Sequence, residues 1–226
     1  MVVRSTLFLV IVMEISMHAP PRRIGRPLSF KRDAALRQAM LTFWRHGYET
    51  TSVADLTAAM GISAPSLYAA FGDKKRLFLE AMRLYAGDPD DMARAILDAP
   101  TARQAAHDLM TTAATAYTGE ATPRGCLLAS AAASGSAAAA DVQDAVASVR
   151  RGIEDCLRVR IERDINDGVL PPGSQADPLA GLVLAVTQGM SVLARDGASR
   201  ALLLAIAEAA LRAWPGTKAD DPAPAR

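Results

Sequence analysis

Three hydroxyls fall within six positions of one another, Ser63, Ser66 and Tyr68, with Pro65 among them. Such groups donate and accept hydrogen bonds, and the chemistry within their reach is contact with phosphate oxygens or with base edges. Cations stand on both sides. Lys75 is placed to neutralise a phosphate, and the arm holding Arg22, Arg23 and Arg26 is of the kind that enters a minor groove. Thr51 stands where a helix should begin, and the free N–H groups of a helix start suit a phosphate. These nine residues form the candidate polyanion-contact set.

Charge supports that reading and other chemistries do not compete. Of 226 residues, half are hydrophobic, 22% are charged and the net charge is only +1. From Pro20 to Ala86, however, eleven Lys or Arg face five Asp or Glu, while from Gly87 onward thirteen face eighteen. A basic N-terminal part ahead of an acidic body points to nucleic acid for the first part only. Two cysteines thirty positions apart, Cys126 and Cys156, give no disulfide framework and no cysteine metal site. His18, His46 and His107 are scattered, so no metal and no cofactor is expected. No nucleophile elbow, P-loop or dinucleotide glycine fingerprint occurs, and we expect no enzyme.

The elements that must position those residues are all helical. Aromatics make up 5% of the chain, while alanine and leucine abound. A first helix is expected from about Lys31, with Leu36, Ala39, Met40 and Phe43 on one stripe, stopping at Gly47. Ser52 with Asp55 has capping-box spacing for a second, whose apolar residues are Val53, Leu56 and Met60 and which Gly61 breaks. Ser63 caps a third that carries Leu67, Tyr68 and Phe71 and ends at Gly72, and Asp73 caps a fourth. Further helices are expected over about 101–117, 141–167, 177–195 and 200–214, with an interrupted alanine-rich stretch from Cys126 to Ala140. The fold class is therefore all-α, with an N-terminal helix-turn-helix domain and a C-terminal helical domain. Expected boundaries are 1–19 for a non-native or poorly ordered extension, 20–29 for the basic arm, 30–86 for the helix-turn-helix domain, 87–214 for the effector-binding and dimerisation domain, and 215–226 for a disordered tail. The apolar run Leu7 to Met13 is too short to span a bilayer, which takes about 20 residues.

Two short helices joined by Gly61, Ile62 and Ser63 describe a helix-turn-helix, whose second helix is shaped to enter a major groove. The stretches TTSVADL (50–56), MGISAPSLY (60–68) and FGDKK (71–75) followed by Leu77 and Phe78 resemble the DNA-binding domain of the tetracycline-repressor (TetR/AcrR) family over about residues 28–86. Further on, Gln188-Gly189 and the helix end at Gly197 look similar to that family's C-terminal domains. The resemblance implies a homodimeric, ligand-responsive transcription regulator, usually a repressor, that binds a palindromic double-stranded operator and works in the cytoplasm. This chain departs from the commonest pattern where Ala64 stands for a frequent lysine and Ala69-Ala70 for a polar-aromatic pair, which bears on the operator that is read.

In the acidic body, Leu179 to Leu193 and Ala201 to Leu211 are apolar nearly all round, so both must be covered on several sides. Gly181, Ala185 and Gly189 make a small-residue stripe, and with Leu193, Leu202 and Ile206 they are the expected interface with a second copy. A membrane span is set aside on length and on Asp177 and Gly197 at the helix ends. His107, Met110, Tyr117 and Cys126 are the candidates for lining a cavity, which would take an apolar or weakly polar small-molecule effector. Two alternatives share the fold: a cysteine-based redox-responsive regulator, and a helical protein-interaction module.

Overall fold

The computed structural model describes residues 30–132 and 139–216, and among these every regular element is a helix. They are α1 (Arg32–His46), α2 (Val53–Met60), α3 (Ala64–Phe71), α4 (Lys74–Ala86), α5 (Pro89–Leu97), α6 (Ala102–Tyr117), α7 (Leu127–Ala132), α8 (Ala140–Asn166), α9 (Ala176–Arg195) and α10 (Arg200–Arg212). The expected extension 1–19, the arm 20–29 with Arg22, Arg23 and Arg26, and the tail beyond Gly216 lie outside the described residues.

The chain divides into two units, one of residues 1–87 and 121–147, the other of 88–120 and 148–226. The first break follows Gly87, and residues 121–147, expected within 87–214, fall with the first unit. Specific bonds account for this. Trp44 donates its indole N–H to the Gly125 carbonyl at 3.1 Å, and the Tyr85 hydroxyl donates to the Cys126 sulfur at 3.3 Å. The Trp44 and Tyr85 rings meet edge to face with centroids 4.8 Å apart.

Helices α2 and α3 have eight residues each, too few to hold alone, so tertiary packing must stabilise them. Leu56, Leu67 and Phe71 point inward and are buried together with Phe43, Leu77 and Phe78. The Phe43 and Phe78 rings cross edge to face at 5.1 Å, and Arg32 sits 4.5 Å above the Phe71 ring. Truncating Phe43, which is fully buried, should cost about 3–5 kcal/mol.

The second unit is built on α5, α6, α9, α10 and the greater part of α8. Its core joins Ile96, Met110, Leu157, Ile161, Val183 and Leu211. An ion pair is buried beside it. The Asp164 carboxylate accepts the N–H of Ala102, the first residue of α6, at 2.6 Å, and pairs with Arg160 one turn earlier. Arg160 also donates to the carbonyls of Ala99 at 3.1 Å and Pro100 at 2.8 Å, so the turn between α5 and α6 is closed from below by one guanidinium. Every polar group of the pair is satisfied, the condition under which burying it is tolerable.

Helix α9 begins at Ala176 with Gln175 as its cap residue, so Asp177 lies inside the first turn instead of capping it. At 20 residues α9 is long and apolar enough to cross a membrane, by length and composition only, so length does not argue against a span as expected. What does argue against one is that Leu179, Ala180, Val183, Met190 and Ala194 are buried, three of them in the core shared with α6 and α10.

Candidate nucleic-acid interface

The turn between α2 and α3 is set by Gly61, whose φ of 64° and ψ of 34° are left-handed, a conformation that glycine adopts without steric cost. The N–H groups of Gly61 and Ile62 close the end of α2 on the carbonyls of Ala58 and Thr57. Ser63 then caps α3, its hydroxyl accepting the Ser66 N–H at 3.3 Å and lying 2.9 Å from the Ser66 hydroxyl. Pro65 follows in the first turn, where its missing N–H costs nothing. With Leu67 and Phe71 turned inward, the opposite face of α3 presents Pro65, Tyr68 and Ala69 to solvent, Tyr68 being 50% exposed. Ser63 is exposed and Ser66 half-buried beside them, so the structure brings these four of the nine expected contacts onto one edge of the helix-turn-helix.

Thr51 corrects its expected role. It is 1% exposed and its hydroxyl donates to the Gly47 carbonyl, which ties the α1–α2 turn instead of facing outward. The cap of α2 is Ser52, which takes the Asp55 N–H at 3.1 Å while Asp55 returns a bond from the Ser52 N–H at 2.9 Å. The Ser52 hydroxyl, which donates to the Asp55 carboxylate at 2.6 Å, and then the Ser52 N–H hold that carboxyl below its usual range. Ser52, expected as a cap but not as a contact, is the hydroxyl exposed at this helix start. Also unassigned by the sequence reading is a cleft of about 390 Å³ lined by Thr42, Arg45, His46, Thr50, Asp55, Ala58 and Ala59. Two basic residues in the last turn of α1, Arg45 and His46, were the signal for it.

Lys75 stands in the first turn of α4, exposed and paired with Asp141 at the start of α8. The pairing bond pushes the Lys75 ammonium up and the Asp141 carboxyl down from their ordinary values. Its neighbour Lys74 is spent inside the unit, 4.6 Å above the Tyr48 ring and 3.3 Å from the Glu49 carbonyl.

The expected effector-lining residues are divided between the two units. Cys126 is buried in the first unit, while His107, Met110 and Tyr117 belong to the second. His107 faces an edge of α6, between the carboxylates of Asp108 at 3.1 Å and Glu208 at 3.3 Å. Met110 is part of the close-packed core, and Tyr117 is buried at the end of α6. Among the described residues no group of three or more His, Cys, Asp or Glu could hold a metal ion. Cys156 has its thiol pushed up, first by burial and then by Asp155, the opposite of what a reactive thiolate needs.

The expected interface residues lie on α9 and α10 of the second unit. Gly181, Ala185, Gly189, Leu193, Leu202 and Ile206 are all at least partly accessible, on the sides of α9 and α10 away from their buried stripes. A Cβ at Gly189 would meet nothing within 4 Å. Val192, at 57%, and Leu202, at 49%, are the most exposed large apolar side chains of the second unit.

Residues 35–81 match the family described as bacterial regulatory proteins, tetR family, and residues 103–210 match the tetracyclin repressor-like C-terminal domain. The HTH-type transcriptional repressor ComR of Escherichia coli (strain K12) is 36% identical over 193 residues, 84% of this chain and 92% of the relative. The chain belongs to the tetR family. Among solved structures, a cysteine mutant of the TetR family transcriptional regulator CifR, complexed with 26-bp double-strand operator DNA, is 43% identical with a TM-score of 0.78, covering 84% of this chain and all (100%) of that one. A TetR regulator from Rhodococcus sp. RHA1 is 38% identical with a TM-score of 0.57, over 80% and 97% of the two chains. As a tetR-family member this is a DNA-binding transcriptional regulator, with the helix-turn-helix of α2 and α3 inside the first matched region.

Proposed function

We propose that the protein is a homodimeric repressor whose two copies of α3 enter major grooves of a palindromic operator, and which lets go when a small molecule binds its second unit. The outward face of α3 carries this reading: Tyr68 and Pro65 stand clear while Leu67 and Phe71 anchor the helix from behind. A helix fixed at its back and bare at its front is what a major groove admits. CifR, whose cysteine mutant is complexed with operator DNA, supports the partner, and ComR, a transcriptional repressor by name, supports the sign.

In this reading Ser63, Ser66, Tyr68 and Lys75 fix the position on the duplex, and Arg22, Arg23 and Arg26 reach the adjoining minor groove. The apolar face of α9 and α10 joins the two copies. An apolar or weakly polar effector in the second unit then favours a dimer whose reading heads are wrongly spaced. Hundredfold release needs about 2.7 kcal/mol of coupling. The reading implies a cytoplasmic protein with no membrane partner.

The experiment is selection of a duplex from randomised DNA by the full chain, followed by anisotropy titrations across salt. For about six to ten neutralised phosphates, affinity should drop about 10³–10⁵-fold between roughly 50 and 200 mM salt. A protein that enriches no duplex at low salt overturns the proposal.

A further inference from the structure

We infer that α3 reads its operator through the methyl groups of thymines, with Ala69, the Tyr68 ring and Pro65 as the contact surface, instead of through paired hydrogen bonds to base edges. The inference rests on the DNA-binding reading above and adds what that reading leaves open, the chemistry of specificity.

The argument begins with what α3 lacks. Side chains that read a base by two hydrogen bonds are Arg or Lys on guanine and Asn or Gln on adenine, with Asp or Glu accepting from cytosine. None of these six residue types occurs between Ala64 and Phe71, whose sequence is APSLYAAF. Hydroxyls cannot fill the gap in full. The Ser63 and Ser66 side chains are already turned to each other at 2.9 Å, and the Ser63 hydroxyl takes the Ser66 N–H as the cap of the helix. Tyr68 offers one hydroxyl at the end of a half-exposed ring.

What the exposed face does offer is apolar: the Ala69 methyl, the Pro65 ring and the flank of Tyr68. In the major groove the apolar group is the thymine C5 methyl, and alanine is among its fitting partners. Every base pair held against this face loses water from its polar edge, and only a pair with thymine returns apolar contact for that loss. Small side chains also let the helix sit deep, bringing the methyl within contact. Matched this way, the surface selects for thymine by burial of its methyl. Ala69, one of the alanines that depart from the commonest family pattern, thereby acquires a role.

The test alters the DNA and leaves the protein intact. The operator recovered by selection from randomised duplexes is resynthesised with each thymine in turn replaced by deoxyuridine, which keeps the O4 acceptor and loses only the methyl. Two or more positions in each half-site should then bind about threefold to fourfold more weakly, the value of one buried methyl. The fully substituted operator should bind about thirtyfold or more weakly, with its salt slope unchanged because the phosphate contacts remain. In Ala69→Gly the uridine penalty at one of those positions should shrink below about twofold, which ties that thymine to this side chain. An operator that binds equally well without its methyls overturns this inference alone. A selection that enriches no duplex overturns the DNA-binding reading and this one with it.

Discussion

The two units place polar and apolar groups in opposite ways. In the first, no charged side chain among the described residues is fully buried, the Lys75–Asp141 pair lies at the surface, and Tyr68 is the one exposed large apolar side chain among them. In the second, a charge pair is buried, Arg160 with Asp164, while Val159, Val192, Leu193 and Leu202 are exposed. A surface of hydroxyls and cations is complete in water and ready for a polyanion. An apolar surface is not, and contiguous patches of that kind mark places where another protein surface belongs. In the proposed function the contrast separates two partners: nucleic acid for the first unit, a second copy for the second.

The largest effect should come from the inverted charge. Asp164→Ala leaves Arg160 buried without its partner and the Ala102 N–H without an acceptor, at 2% exposure. We expect about 3–5 kcal/mol of lost stability, read as a lower urea midpoint. Replacing both charges, Arg160→Met with Asp164→Leu, should recover most of it; no recovery would mean that the hold on Ala99 and Pro100 outweighs the pairing. Next in size is the inverted apolar surface. A Cβ at Gly189 has open space within 4 Å and the position is exposed, so Gly189→Trp should leave the fold standing while the second copy is pushed off. Sedimentation should shift towards the monomer, and operator affinity should fall about a hundredfold as the two reading heads lose their tether. Unchanged sedimentation would move the interface elsewhere.

Legibility in the sequence followed the same divide between local and distant causes. The turn at Gly61, the cap at Ser63 and the inward Leu67 and Phe71 were readable because each depends on residues within one or two turns. The apolar face of α9 and α10 was readable because a helix with too little polar surface must be covered. Thr51 failed at close range: a threonine ahead of a helix reads as a cap, yet its hydroxyl could instead turn back to the carbonyl four residues earlier, and here it does. Lys75 stands near the start of its helix, as Asp73 ahead of it implied, but its partner is 66 positions away, and no periodicity announces such a pair. The surroundings of the effector candidates were hidden for the same reason. Cys126 is drawn into the first unit by Tyr85, and His107 is set between Asp108 and Glu208, contacts that span 41 and, for the pairing with Glu208, about a hundred positions.

Tyr68 tests whether the finished surface of the first unit is also the working one. Because its ring is half exposed, Tyr68→Ala should leave the urea midpoint almost unmoved, within about 0.5 kcal/mol. Operator affinity should nevertheless fall about tenfold, the loss of a hydrogen bond together with covered ring area. A comparable fall in stability would instead make Tyr68 part of the packing, and the surface argument would pass to Ser63 and Ser66 alone.

The smallest effect should come from the exposed pair, and its sign is the informative part. Lys75 can meet a phosphate only by giving up Asp141, so the carboxylate competes with DNA for the same ammonium. Asp141→Asn removes the competitor, and operator affinity should rise about threefold per subunit, in keeping with the modest worth of surface pairs. The gain should shrink with added salt, which screens the pair in the parent protein. It should also be flat across neutral pH. The Asp141 carboxyl is depressed from 3.8, so the pairing is intact above that value and is lost only as pH falls through the lower, folded one. The Lys75 ammonium is raised from 10.5, so its side of the pairing is intact below that value and fails only as pH climbs past the folded one. A loss of affinity in Asp141→Asn would mean that the carboxylate holds Lys75 in place for the phosphate instead of withholding it, and the first unit would then have its surface arranged from the start of α8.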